Sequence, residues 1–163
     1  MTVRVLLATA ALMLALAGSA AAATRFAAPG GLGASPCAEV APCSLATAVG
    51  GAIAGDEIVV LPGDYTIPAR LAVNVPLTIH GQDGQARPNL HYTGPDNTRG
   101  ISLNDANVTL RRLSVDGTVN VGRAALIGVN PAITGTLLDR VEVHHTGAAI
   151  GVVAGPTSVI RTR

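Results

Sequence analysis

The second half of the chain repeats a short pattern in which titratable residues recur at matching places. Val108 to Gly117 aligns with Thr136 to His145 at a spacing of 28 residues, and Leu77 to Gly81 aligns with Leu113 to Gly117 at a spacing of 36. If residues at these spacings become neighbours, two outward columns are expected. Thr78, Ser114 and Glu142 form the first, and His80, Asp116 and His144 form the second. Neighbours in such a column lie about 4.8 Å apart. Polar, titratable side chains at that spacing could bind a divalent metal or share a proton, with His145 and Tyr92 joining from adjacent turns. The plainer alternative is a row of solvent-facing strand ends, where any polar residue serves. No metal ligand is assigned on this pattern.

Arginines make a second set. The spacing of 28 lays Arg111 over Asp139, with Arg161 following, so an Arg–Asp–Arg ladder is expected. Each exposed pair in it is worth at most about 1 kcal/mol. Arg112 and Arg140 fall one place further on, and their planar forks match the carboxylates of an acidic polysaccharide. A purely structural ladder remains the competing reading.

These residues need a scaffold that stacks them. Short strands of three to five residues follow one another from Glu57 onward, bounded by Gly, Asn, Asp or Pro, with apolar residues at every second place. Pro62-Gly63-Asp64 suits a tight turn. Ser158 to Thr162 restarts the pattern 22 residues after Thr136. Spacings of 36, 28 and 22 suit coils of one solenoid with loops of varying length, two strands of each coil meeting at a two-residue corner. A small sandwich also gives short strands at this density but does not explain the recurring corner. One helix precedes the strands. Ser44 is its N-cap, and Leu45, Ala48, Val49, Ala52 and Ile53 make one apolar stripe; Gly50-Gly51 weakens it and Gly55 ends it after three turns. The expected fold class is all-β: a right-handed parallel β-helix with a short N-terminal capping α-helix over the open end of the solenoid.

Composition narrows the partners. The 163 residues carry eleven Lys plus Arg, all of them Arg, against ten acids, for a formal charge of +1. That lacks the basic stripe a nucleic acid needs. Residues 1–23 read as a secretory signal peptide, with Arg4, an apolar run from Val5 to Ala17, and small residues from Ala20 to Ala23. The run is short of the roughly 20 residues that span a bilayer. Secretion or the cell envelope is therefore expected, with no membrane contact after cleavage. Residues 24–36 read as a flexible leader, rich in Ala, Gly and Pro, and 37–163 as the β-helix domain. Outside the cytoplasm Cys37 and Cys43 are expected to form a disulfide. A redox or metal pair would want C-x-x-C spacing or a nearby His, and neither is present. Ile160 to Arg163 stops in mid-coil, so the chain is expected to be the front of a longer β-helix. Asn107-Val108-Thr109 is a glycosylation sequon if the source is eukaryotic.

Pro42 to Val49, then Gly55 to Tyr65, then Leu77 to Gly81 resemble the N-terminal end of secreted pectin-lyase-like right-handed parallel β-helix proteins. The resemblance spans about residues 36–163. In that group a short helix caps the solenoid, and a Gly-Asp-x-Ile strand with a Pro-Gly-x-Tyr turn opens the first coil. Its polysaccharide lyases use outer-face Arg, with acidic residues holding calcium, so calcium enters only with the lyase reading. No residue here matches such an active-site motif closely enough to carry a role over. The resulting expectation is a non-catalytic protein that binds extracellular polysaccharide or cell-surface glycan through His80, Asp116, Glu142, His144, Arg112 and Arg140. The alternative is a polysaccharide lyase or glycoside hydrolase acting on an acidic polysaccharide. The lack of Trp argues against an aromatic sugar-stacking platform, and no nucleophile elbow accompanies the Ser, His and Asp residues.

Overall fold

The computed structural model describes residues 21–95, 98–117, 125–144, 152–153 and 159–161. Most of the expected signal peptide, and His145, lie outside them. The described residues are mostly β, with one short helix. A six-stranded sheet runs β1 (Thr24–Ala27), β2 (Glu57–Val60), β5 (Thr78–Gly81), β8 (Thr109–Arg111), β11 (Leu137–Asp139) and β14 (Val159–Arg161). A second, four-stranded sheet holds β3 (Asp64–Ile67), β6 (Asn89–Tyr92), β9 (Ser114–Gly117) and β12 (Glu142–His144). The third, also four-stranded, holds β4 (Leu71–Val73), β7 (Ile101–Leu103), β10 (Ile127–Val129) and β13 (Val152–Val153).

Every strand pair is parallel. From β2 onward the chain visits the three sheets in strict rotation. Each visit adds one strand beside the last, so residues of one type stack. Ile58, Ile79, Leu110 and Leu138 are register partners in the first sheet, and all are buried. Tyr65, Leu90 and Val115 do the same in the second sheet, and Leu71, Ile101 and Ile127 in the third. These rows belong to one apolar cluster shared by all three sheets. Alternation explains it: a strand turns every second side chain to the same face, and the apolar set goes inward.

The registers support the spacings of 28 and 22 but not that of 36. Leu137 lies beside Thr109 and Glu142 beside Ser114, each 28 apart, and Val159 beside Leu137, 22 apart. Thr78, however, pairs with Thr109 and not with Ser114. The partner of Ser114 on that side is Asn89. The cause is loop length. Two residues, Arg112-Leu113, join β8 to β9, whereas seven, Gln82 to Pro88, join β5 to β6.

The helix α1 spans Leu45–Gly50 and is shorter than three turns. Ser44 caps it as expected, its side chain accepting from Thr47 N–H at 3.1 Å. Gly51 forms the C-cap, so the Gly pair stops the helix before Gly55 does. α1 packs on β4, β1 and β2. The region expected as flexible leader differs too: Thr24–Ala27 pair with β2. Periodicity was too short there to register, but Arg25 and Asp56 lock the segment in place. The outer edge of β1 is covered by the Cys37–Cys43 loop, whose backbone exchanges hydrogen bonds with Phe26 and Ala28. Inside, the Tyr65 hydroxyl donates toward the Leu61 and Ala27 carbonyls, and burial pushes its pKa up.

The disulfide closes a loop of seven residues, which predicts a chain-entropy contribution of about 2 kcal/mol. Cys37→Ser with Cys43→Ser should lower the urea midpoint accordingly, with the slope of unfolding free energy against urea little changed. An unchanged midpoint would contradict the prediction.

Candidate functional site

The titratable columns form, but with different members. Thr66, His91, Asp116 and His144 are register partners along the second sheet. His91 therefore takes the place expected of His80. His91 Nδ1 lies 3.3 Å from Asp116 Oδ2, and both side chains are partly buried. His80 lies on β5, in the first sheet, between Val59 and Arg111. It is buried, with Nε2 2.9 Å from Glu57 Oε1 and Nδ1 3.0 Å from the Gly81 carbonyl oxygen. Those partners make it a brace between β2 and β5. The expected trio of His80, Asp116 and His144 is thus not brought together. Thr78 likewise leaves the column of Ser114 and Glu142, which Asp64 and Asn89 extend instead. Among the described residues no group of three or more His, Cys, Asp or Glu could hold a metal ion.

The arginines converge more closely. Arg112 and Arg140 line one groove of about 570 Å³, and Arg87 lines it with them. Each of these arginines stands two residues ahead of the first residue of a second-sheet strand: Asn89, Ser114 and Glu142 in turn. Those first residues are register partners and also line the groove. The result is three guanidinium groups converging on one groove, two of them, on Arg112 and Arg140, from equivalent corners ahead of paired strands. Arg87 was hidden in the sequence because the spacing of 36 sets Pro76, and not Arg87, beside Arg112. The spacing that reveals it is 25, the offset between Asn89 and Ser114.

Both corner arginines hold left-handed backbone, with φ of 54° at Arg112 and at Arg140. Non-glycine residues there carry a cost of order 1 kcal/mol. The same corner geometry thus recurs at both levels, and both side chains line the groove.

Like charges converging on one groove need counterions, and each arginine has one. Arg112 Nη1 lies 3.2 Å from Asp83 Oδ1, and its Nη2 donates to the Gln85 carbonyl oxygen at 2.9 Å. Arg140 Nε lies 3.2 Å from Asp139 Oδ2. Arg87 pairs with Glu142. Arg111 overlies Asp139 in register as expected, but its Nη2 turns to Asp83 Oδ2 at 3.2 Å. The excursion Gln82 to Pro88 thus supplies Gln85 and Arg87 to one wall of the groove, and Asp83 as a counterion outside that lining. With Arg87, Arg112 and Arg140 against Glu142, the groove lining is net cationic.

A second cleft, of about 470 Å³, opens between α1 and the edge of β3 and is mostly apolar. Among the described residues no helix is long and apolar enough to cross a membrane. No family model, curated protein or solved structure matches the chain.

Proposed function

We propose that the three sheets wind as one right-handed parallel β-helix of the pectin-lyase-like kind, and that this exported protein binds an acidic extracellular or cell-surface polysaccharide without cleaving it. The observation that carries the reading is the convergence of Arg87, Arg112 and Arg140 on one open groove. Rotation of the chain through three parallel sheets supports the winding. The Cys37–Cys43 disulfide agrees with an oxidising destination. Guanidinium forks donate to carboxylates in bidentate geometry, and several lining one groove suit a polymer that repeats its acid groups. Ser114, Asn89 and Gln85 add hydrogen-bonding groups for hydroxyls between the charges.

The test is calorimetric titration of polygalacturonate into the wild type and into Arg112→Ala/Arg140→Ala. Each lost fork is expected to cost about 1.4 kcal/mol, so the double variant binds about a hundredfold more weakly. Wild-type binding should also weaken as salt rises. Equal affinity in the double variant, or equal binding of an uncharged glucan, would refute the proposal. Unsaturated, ultraviolet-absorbing products would turn it into the lyase alternative.

A further inference from the structure

We infer that Glu142 determines the specificity of this groove: its carboxylate is a tethered competitor for Arg87, so the ligand must carry closely spaced acid groups to displace it. The inference rests on the reading of the groove as an anion-binding site. Glu142 opens β12, whereas Arg87 precedes β6, and β9 lies between those strands. The two side chains therefore meet across β9, where Ser114 lines the floor.

Its place in the groove lining sets Glu142 apart from the other counterions, and two further features leave it able to swing aside. It is the one acid among the described residues that line the groove, while Asp83 and Asp139 pair with Arg112 and Arg140 from outside that lining. Its side chain is about half exposed, 48%, so swinging it away uncovers little. Its other oxygen, Oε2, lies 3.3 Å from His144 Nε2, so a displaced carboxylate keeps a partner.

A tethered carboxylate competes at an effective concentration in the millimolar range, without having to diffuse in. A sugar chain with sparse charges engages Arg112 or Arg140 and leaves Arg87 to Glu142. A chain with acids on successive sugars binds the first two arginines and presents a third carboxylate at high local concentration, which displaces Glu142. The groove then favours densely charged polyuronates over partly esterified ones. Glu142→Gln keeps the shape and removes the competing charge.

The experiment titrates fully de-esterified polygalacturonate and a half-methyl-esterified sample into the wild type, Glu142→Gln and Arg112→Ala/Arg140→Ala. Thermal unfolding confirms that each variant is folded. The wild type should prefer the de-esterified polymer. Glu142→Gln should bind the half-esterified polymer about tenfold more tightly than the wild type does, and its preference between the two should shrink. Unchanged or weaker binding of the half-esterified polymer by Glu142→Gln overturns the inference, while loss in the arginine variant still upholds the groove. If neither the wild type nor Glu142→Gln binds either polymer, the groove reading falls and the inference falls with it.

Discussion

Asp56→Ala should cost the protein about 3–5 kcal/mol of stability, because it leaves the Arg25 guanidinium buried without its carboxylate. Asp56 is fully buried, and Arg25 is only 6% exposed. Arg25 Nε lies 2.6 Å from Asp56 Oδ2. The carboxylate also accepts from Ala23 N–H at 2.8 Å and Ile53 N–H at 3.0 Å. One side chain thus joins β1, the turn that follows α1 and the approach to β2. Burial by itself would raise the Asp56 pKa. The hydrogen bonds from Ala23, Arg25 and Ile53, with the charge of Arg25, outweigh it and hold the carboxyl below its usual range. A depressed folded-state pKa means that the stabilisation is whole above the unfolded value, about 3.9, and is lost as the pH falls through the folded value. Urea unfolding of the wild type should therefore lose stability in acid. Asp56→Asn, which cannot titrate, should be weaker at neutral pH and should flatten that acid limb. A neutral-pH loss below about 1 kcal/mol for Asp56→Ala would show that the pair is not what anchors β1.

The sequence made the strands legible and their grouping only in part. Alternation located nearly every strand, because each short run turns one apolar face inward. Recurrence of the Arg-x corner gave the correct partners for β8 with β11 and β9 with β12. It failed between Leu77 and Leu113 for a physical reason. A strand of any of the three sheets carries the same apolar–polar alternation, so pattern likeness cannot tell the first sheet from the second. The length of Gln82 to Pro88 decided the matter, and loop length carries no periodic signal. Two consequences followed at the site. His80 entered the wrong column, His91 was not seen as a member of its own, and Arg87 was not seen as part of the groove. Asp56 stands in the Gly-Asp-x-Ile motif, but its burial was not legible there, since it depends on Arg25 thirty-one residues away.

Leu110→Ala should cost about 2–5 kcal/mol, the second large effect, and it tests the stacking on which the arginine corners depend. Leu110 is fully buried on β8, with Ile79 and Leu138 as its register partners on either side. Its neighbours belong to strands paired on both edges, so the sheet has little freedom to collapse into the space left behind. A rigid site retains the cavity, and the cost moves toward the upper end of the range. The loss is expected in the urea midpoint, with affinity for polyuronate preserved in the folded fraction, because Leu110 points away from the groove lined by Arg112 and Arg140. Leu32→Ala, at a residue 98% exposed, is the matched control and should change stability by less than about 0.5 kcal/mol. If the two substitutions cost the same, Leu110 is not packed between Ile79 and Leu138. The register that places Arg112 and Arg140 at equivalent corners of neighbouring strands would then lose its support.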